Sequence, residues 1–218
     1  MFDDDTQGVV TYIDTHTQKD FEEQWQCALR DKERIISESP SRKDVMDLFH
    51  TDRFKETYNQ LAVQLFERFD ISKGDFLIQA QPTPRIFKPG SHGTSWHTDY
   101  WYGHGEKFYT AWVPLQGSIP GATFETLQRR EDNDKIIKHY ENNPELLQKE
   151  FDLAGCKTSA VVPKNGQIAA FGSTVLHASL RNTTETTRIS FDFRFGPAGD
   201  KTITKDYNNY LELGENYK

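Results

Sequence analysis

The chain has 218 residues, 26 Lys and Arg against 33 Asp and Glu, and a formal net charge of −7. That balance argues against a nucleic-acid binder, which needs cations for phosphates, and no apolar run approaches the roughly 18 residues of a membrane span. The acidic start Met1-Phe2-Asp3-Asp4-Asp5 has no hydrophobic leader core, and two cysteines, Cys27 and Cys156, cannot build a disulfide framework. A soluble, cytoplasmic, single-domain protein is expected, with no nucleic-acid partner and no membrane partner.

In chain order, the spacing of Phe21, Trp25, Ala28, Leu29, Ile35 and Ile36 predicts a helix from Asp20 to about Glu38. Leu61, Val63, Leu65 and Phe66 predict another from about Arg53 to Phe69, closed by the polar turn 70–74. Residues 1–74 thus read as a helical flank. From residue 75 the pattern turns to β. Phe76 to Phe87 reads as a strand interrupted by Pro82 and Pro84, since proline is confined to strand edges, ends and bulges. Trp96–Tyr102 and Lys107–Leu115 read as strands around the turn Gly103-His104-Gly105. A charged, helix-prone insertion over 126–151 follows, and the β pattern returns at 158–162, 167–171, 175–178 and 187–195. Residues 201–218 read as a C-terminal tail. Short strands separated by turns, with the helices gathered at one end, predict a mainly β barrel or jelly roll over about 75–200 flanked by helices.

Three segments carry chemistry. In a strand, His97 and Asp99 would share a face, where an imidazole and a carboxylate are two adjacent metal ligands. On spacing alone His-x-Asp is a weak signal, and a surface strand with a hydrogen-bonded histidine is the simpler reading. His177 ends a second apolar run, and two histidines with one carboxylate form a facial triad that leaves coordination positions open. Arg188, Ser190, Asp192 and Arg194 alternate strictly with Ile189, Phe191, Phe193 and Phe195. A half-buried strand would put that polar face in water; a barrel strand would put it in an interior cavity, where an arginine needs a carboxylate partner.

The order His97-x-Asp99, His177, Arg188-x-Ser190 resembles the Fe(II)/2-oxoglutarate-dependent dioxygenase superfamily, over roughly Asp75 to Phe195. Ala111-Trp112 and the wording around Leu176-His177 and Arg188 to Phe191 resemble its phytanoyl-CoA-hydroxylase-like branch. His97 to Gly103 with Asp192-Phe193-Arg194 is closest to small stand-alone enzymes of the streptomycin-biosynthesis type. The resemblance implies a double-stranded β-helix (cupin-like) core, Fe(II) on His97, Asp99 and His177, and 2-oxoglutarate anchored by Arg188 and Ser190 with Trp112 packed against it. It implies O2 as oxidant, and succinate and CO2 as products of hydroxylating a small-molecule substrate. Related halogenases replace the triad carboxylate by a small residue, so Asp99 favours hydroxylation or a related oxidation; desaturation, epoxidation and ring closure use the same triad. A non-oxidative cupin-like metalloenzyme and a catalytically silent binding module are the alternatives.

Four further residues are candidates for substrate contact. Trp101 shares a face with Asp99 by alternation, with core packing as the other reading, and His104, a loop histidine between glycines, could reach the pocket mouth. Arg85 and Arg194 would meet a substrate carboxylate, as in a free amino acid, with Asp192 or Glu125 for an amine. His16, His50, His92 and His139 read as surface or loop residues.

Overall fold

The computed structural model describes residues 9–30, 40–71, 76–116, 118–143, 146 and 155–212. Among them run β1 (Val10–Asp14), α1 (His16–Arg30), α2 (Arg42–Phe49), α3 (Asp52–Phe69), β2 (Phe76–Gln79), β3 (Thr83–Phe87), β4 (Tyr109–Pro114) and β5 (Phe124–Leu127). Then come α4 (Arg130–Tyr140), β6 (Thr158–Ala160), β7 (Gln167–Gly172), β8 (His177–Ser179), β9 (Arg188–Pro197) and β10 (Tyr210–Glu212). The strands form two antiparallel sheets. The larger has the order β1-β7-β4-β9-β2-β10, with β3 also on β9; the smaller is β6-β5-β8. This is the expected mainly β jelly-roll architecture with helices at its flank. No helix among the described residues is long and apolar enough to cross a membrane.

β9 is the hub. One edge pairs with β4, and the other takes β3 against Arg188–Asp192 and β2 against Phe195–Pro197. The proline-rich stretch therefore splits into two strands, as its sequence suggested. Pro84 is tolerated because β3 bonds only to β9.

Alternation along β9 decides its two faces. Ile189, Phe191, Phe193 and Phe195 pack under α1, α2 and α3 with Phe21, Trp25, Phe49, Phe54 and Leu65. Phe191 meets Phe21 edge-on at 5.1 Å between centroids, a geometry favoured by ring quadrupoles. Burying each such ring contributes roughly 1.5–3 kcal/mol. The opposite face, Arg188, Ser190, Asp192 and Arg194, is also buried. The polar face is thus an interior wall, and the water-facing alternative does not hold.

Several boundaries differ from the sequence pattern. Helix α1 starts at His16, and the stretch 31–38 lies outside the described residues, as does most of the turn 70–74. α2 is stabilised by a capping box, Ser41 with Asp44. β1 and β10, from the flank and the tail, add strands to the large sheet. β5 runs through Leu127, so the charged insertion begins after it; of that insertion, 144–145 and 147–154 lie outside the described residues. α4 is fastened by Asn133, whose side chain donates to the Thr174 carbonyl and accepts from the Leu176 N–H, at 3.2 and 2.7 Å. That anchors the helix to the segment leading into His177.

The largest correction concerns Trp96–Tyr102. It is not a strand: one bridge joins His97 to His177, and a 3-10 turn at Tyr100–Tyr102 follows. Gly103 ends the turn at φ +87°, a conformation side chains rarely adopt.

Candidate metal and dicarboxylate site

The bridge places the two histidines side by side. His97 N–H donates to the His177 carbonyl at 3.1 Å, and His177 N–H returns the bond at 3.0 Å. Gly93 makes room for this approach, because a Cβ there would lie 2.1 Å from Ser179 Cβ. Asp99 sits at the start of the 3-10 turn, where its carbonyl accepts from Tyr102 N–H. One ligand atom from each of His97, Asp99 and His177 falls within 4.8 Å of the others, and all three residues are buried.

The protonation states suit a cation. His97 Nδ1 lies 2.6 Å from the Ser95 carbonyl and His177 Nδ1 lies 3.0 Å from that of Val175. A carbonyl only accepts, so each Nδ1 carries the proton and each Nε2 keeps its lone pair. Burial lowers the pKa of His97, and burial with the neighbouring His97 charge takes His177 down to about 4. Burial would raise Asp99, but the Arg194 guanidinium, His177 and hydrogen bonds from Arg194 and Thr110 hold it well below the usual carboxylate range. Two neutral imidazoles and one carboxylate therefore converge, a donor set that fits Fe(II).

The cavity between the sheets is lined by His97 and His177, by Phe124 and Ser179 of the small sheet, and by Arg188, Asp192 and Arg194 of β9. Arg188 is 2% exposed, and its guanidinium lies 4.2 Å from the Phe87 ring centre and 5.6 Å from that of Trp112. Among the described residues it makes no hydrogen bond, and its Nε is buried without a partner. Burial first, then the charge of Arg85, pushes its pKa down to about 9. Beside it Trp112 Nε1 donates to Ser190 Oγ at 3.1 Å, which leaves the Ser190 hydroxyl proton for another acceptor. An unpaired buried cation with a hydroxyl at its side is a receptor for a carboxylate.

The remaining candidates divide between the cavity wall, where Arg85 and Arg194 stand, and the surrounding protein. Arg85 lines the cavity and pairs with Asp192, its Nε 2.5 Å from Oδ2. Arg194 is committed at both ends, to Asp192 through Nη1 and to Asp99 through Nη2 at 2.6 Å. Its head group is thus occupied by protein carboxylates rather than open to a substrate. Asp192 in turn is filled by two arginines, and Glu125 lies on the face of β5 opposite Phe124, so neither is placed to meet an amine. Because of the 3-10 turn, Trp101 packs with Leu127, Ile136, Tyr140 and Leu176 instead of entering the cavity. His104 is buried away from it, with Nδ1 2.7 Å from the Tyr210 hydroxyl and Nε2 3.1 Å from Lys205 Nζ. His16, His50, His92 and His139 are exposed.

The pattern of alternation missed three residues: Thr110, which donates to Asp99; Thr94, on the cavity wall; and Tyr102, whose ring lies 5.2 Å from His97 and is 61% exposed. Thr110 was within reach of sequence reasoning, since it alternates with Trp112 on a strand expected to line the barrel.

His104 yields a pH prediction. Burial takes its pKa down to about 3, against roughly 6.5 in an unfolded chain. Between those values the unfolded state binds the extra proton, so apo stability falls as pH drops from about 6.5 towards 3. Chemical denaturation at pH 7 and pH 5 will show a smaller loss in His104→Gln than in the unchanged protein.

Comparison with known proteins gives the fold independently. No family model matches the sequence, and no curated protein does. Solved structures do match. The non-heme monooxygenase ThoJ, solved as a nickel complex, aligns with TM-score 0.55 and 18% identity over 88% of this chain and 74% of that one. EctD from S. alaskensis, solved with 2-oxoglutarate and 5-hydroxyectoine, aligns with TM-score 0.55 and 11% identity over 88% and 73%. SnoN, a non-heme alpha-ketoglutarate-dependent epimerase from nogalamycin biosynthesis, aligns with TM-score 0.54 and 12% identity over 94% and 89%. At these identities what the chain shares with them is the fold.

Proposed function

We propose that the chain is an Fe(II)- and 2-oxoglutarate-dependent oxygenase that hydroxylates an unactivated C–H bond of a small, carboxylate-bearing molecule, such as a free amino acid or a natural-product intermediate. The observation that carries this reading is a His97–Asp99–His177 cluster whose two histidines line one cavity with the buried Arg188, a guanidinium without a hydrogen-bond partner among the described residues. A non-oxidative metalloenzyme has no need of that second feature. The fold shared with ThoJ, a non-heme monooxygenase, with EctD, solved with 2-oxoglutarate, and with SnoN, an alpha-ketoglutarate-dependent epimerase, supports the choice of metal and cosubstrate.

His97 Nε2, His177 Nε2 and the Asp99 carboxylate would hold the iron, and Arg188 with the Ser190 hydroxyl would take the distal carboxylate of 2-oxoglutarate. When bound, the iron with 2-oxoglutarate and O2 supplies oxidative decarboxylation to succinate and CO2 coupled to oxidation of a C–H bond. The chain's own part is placement and exclusion of water. Ser95 and Val175 carbonyls fix both imidazole tautomers. Trp112 fixes the Ser190 hydroxyl, and Phe87 covers one face of the Arg188 guanidinium. Phe124 and Phe171 close the cavity with apolar rings. Arg85, the cation on the cavity wall with most exposure, would orient the substrate carboxylate. Asp99 in the triad favours hydroxylation over halogenation.

The test is succinate release by protein supplied with Fe(II), 2-oxoglutarate and O2 against a panel of amino acids and other small carboxylates. At least one carboxylate should stimulate succinate release several-fold over the substrate-free rate. Stimulation only by uncharged molecules would remove the substrate class, and no succinate with any of them would remove the oxygenase reading.

A further inference from the structure

Asp99 enters the site with its charge already balanced. Arg194 Nη2 lies 2.6 Å from its Oδ1, and that guanidinium is 6% exposed. A divalent cation must therefore approach a carboxylate that faces a permanent positive charge. The chain continues outward: Arg194 Nη1 donates to Asp192 Oδ1, and Asp192 Oδ2 accepts from Arg85 Nε at 2.5 Å. Four charges alternate in sign from the metal cluster to the cavity wall. The inner three side chains are 2–7% exposed and Arg85 is 27% exposed. Buried charges are poorly screened, so each link is felt at the next.

We propose that the Arg85–Asp192–Arg194 chain sets the metal affinity of Asp99, with Asp192 offsetting Arg194 and Arg85 acting as the adjustable outer end. This rests on the triad being a metal site. The three are positioning residues, since none is a ligand. The sign of each link follows from the alternation. Removing the Asp192 charge leaves Arg194 uncompensated beside the metal and weakens binding. Removing the Arg85 charge leaves Asp192 free to offset Arg194 and tightens binding. A ligand carboxylate that draws Arg85 off Asp192 acts in the same direction, and by linkage the metal then strengthens that ligand equally. Arg85→Gln imitates this state without a ligand.

The experiment is calorimetric titration of metal-free protein with Co(II), without 2-oxoglutarate, at one pH and ionic strength. Asp192→Asn should weaken Co(II) at least tenfold, Arg85→Gln should tighten it at least threefold, and the double variant should return towards the unchanged protein. Melting curves confirm that each variant is folded at the titration temperature. If Asp192→Asn does not fold, the sign for Arg85→Gln alone decides. A merely structural chain would weaken binding in both variants or move it in neither, and either outcome overturns the inference while Co(II) binding abolished by His177→Gln leaves the metal site standing. No Co(II) uptake by the unchanged protein overturns both.

Discussion

Arg188→Met will melt higher than the unchanged protein and will bind 2-oxoglutarate far more weakly. The Arg188 guanidinium is buried, and among the described residues it has no hydrogen-bond partner, only the faces of Phe87 and Trp112. Ring faces return roughly 0.5–2 kcal/mol of the cost of burying such a cation, and the desolvation penalty of a buried ion is several kcal/mol. Replacing it by an apolar side chain of similar length should stabilise the fold by about 2 kcal/mol, or about 4–8 °C for a chain of this size. Saturating 2-oxoglutarate, at about a hundred times its Kd, should raise the melting point of the unchanged protein by a further amount worth about 2.7 kcal/mol, and should leave Arg188→Met where it was. Thermal melts of both proteins with and without 2-oxoglutarate check this. A variant that melts lower without ligand would mean that Arg188 serves the fold and not a ligand.

Asp99→Asn has the opposite signature and the larger loss. Its carboxylate is a candidate metal ligand and also the partner of buried Arg194, with Thr110 on its other oxygen. The asparagine keeps the shape and removes the charge. Breaking a buried ion pair from one side costs roughly 3–5 kcal/mol, because the other charge stays buried. Arg194 retains Asp192, so the lower end applies, on the order of 6–12 °C. Metal binding should fall at least a hundredfold, beyond the tenfold to hundredfold typical of residues that only support a ligand. His177→Gln makes the contrast. It removes a neutral ring, so the metal is lost with a smaller drop in melting temperature. If the two variants lose equal stability, Asp99 is not the inner end of an ion chain.

The candidate site residues could be grouped from the sequence because they lie where local rules are strong. The alternation of β9 grouped Arg188, Ser190, Asp192 and Arg194 correctly, and the resemblance brought His177 to His97 across a long gap. Which face of β9 is interior could not be read from β9 itself. Both faces are buried, and only the three helices packed on Phe191, Phe193 and Phe195 assign the polar side to the cavity. Trp101 was misplaced because period two was extended into a 3-10 turn, where it does not hold. Alternation offers Arg194 and Asp192 as ligand-binding groups because it says which side chains share a face and nothing of which neutralise one another. Arg194 meets Asp192 along β9 itself, whereas the Arg85–Asp192 pair depends on register between β3 and β9, where Thr83 stands opposite Asp192 and Arg85 opposite Ser190. His104 sits between glycines in a loop, yet Tyr210 of the tail strand and Lys205 bury it, a contact made by the long-range pairing of β10 on β2.

The most direct measurement is an anaerobic titration of the metal-free protein with Fe(II) and 2-oxoglutarate, followed in the visible. A metal-to-ligand charge-transfer band should appear when both are present, vanish in His177→Ala and weaken in Arg188→Ala. No band in the unchanged protein, with zinc bound in place of iron, would contradict the oxygenase assignment and leave a non-oxidative metal site in its place.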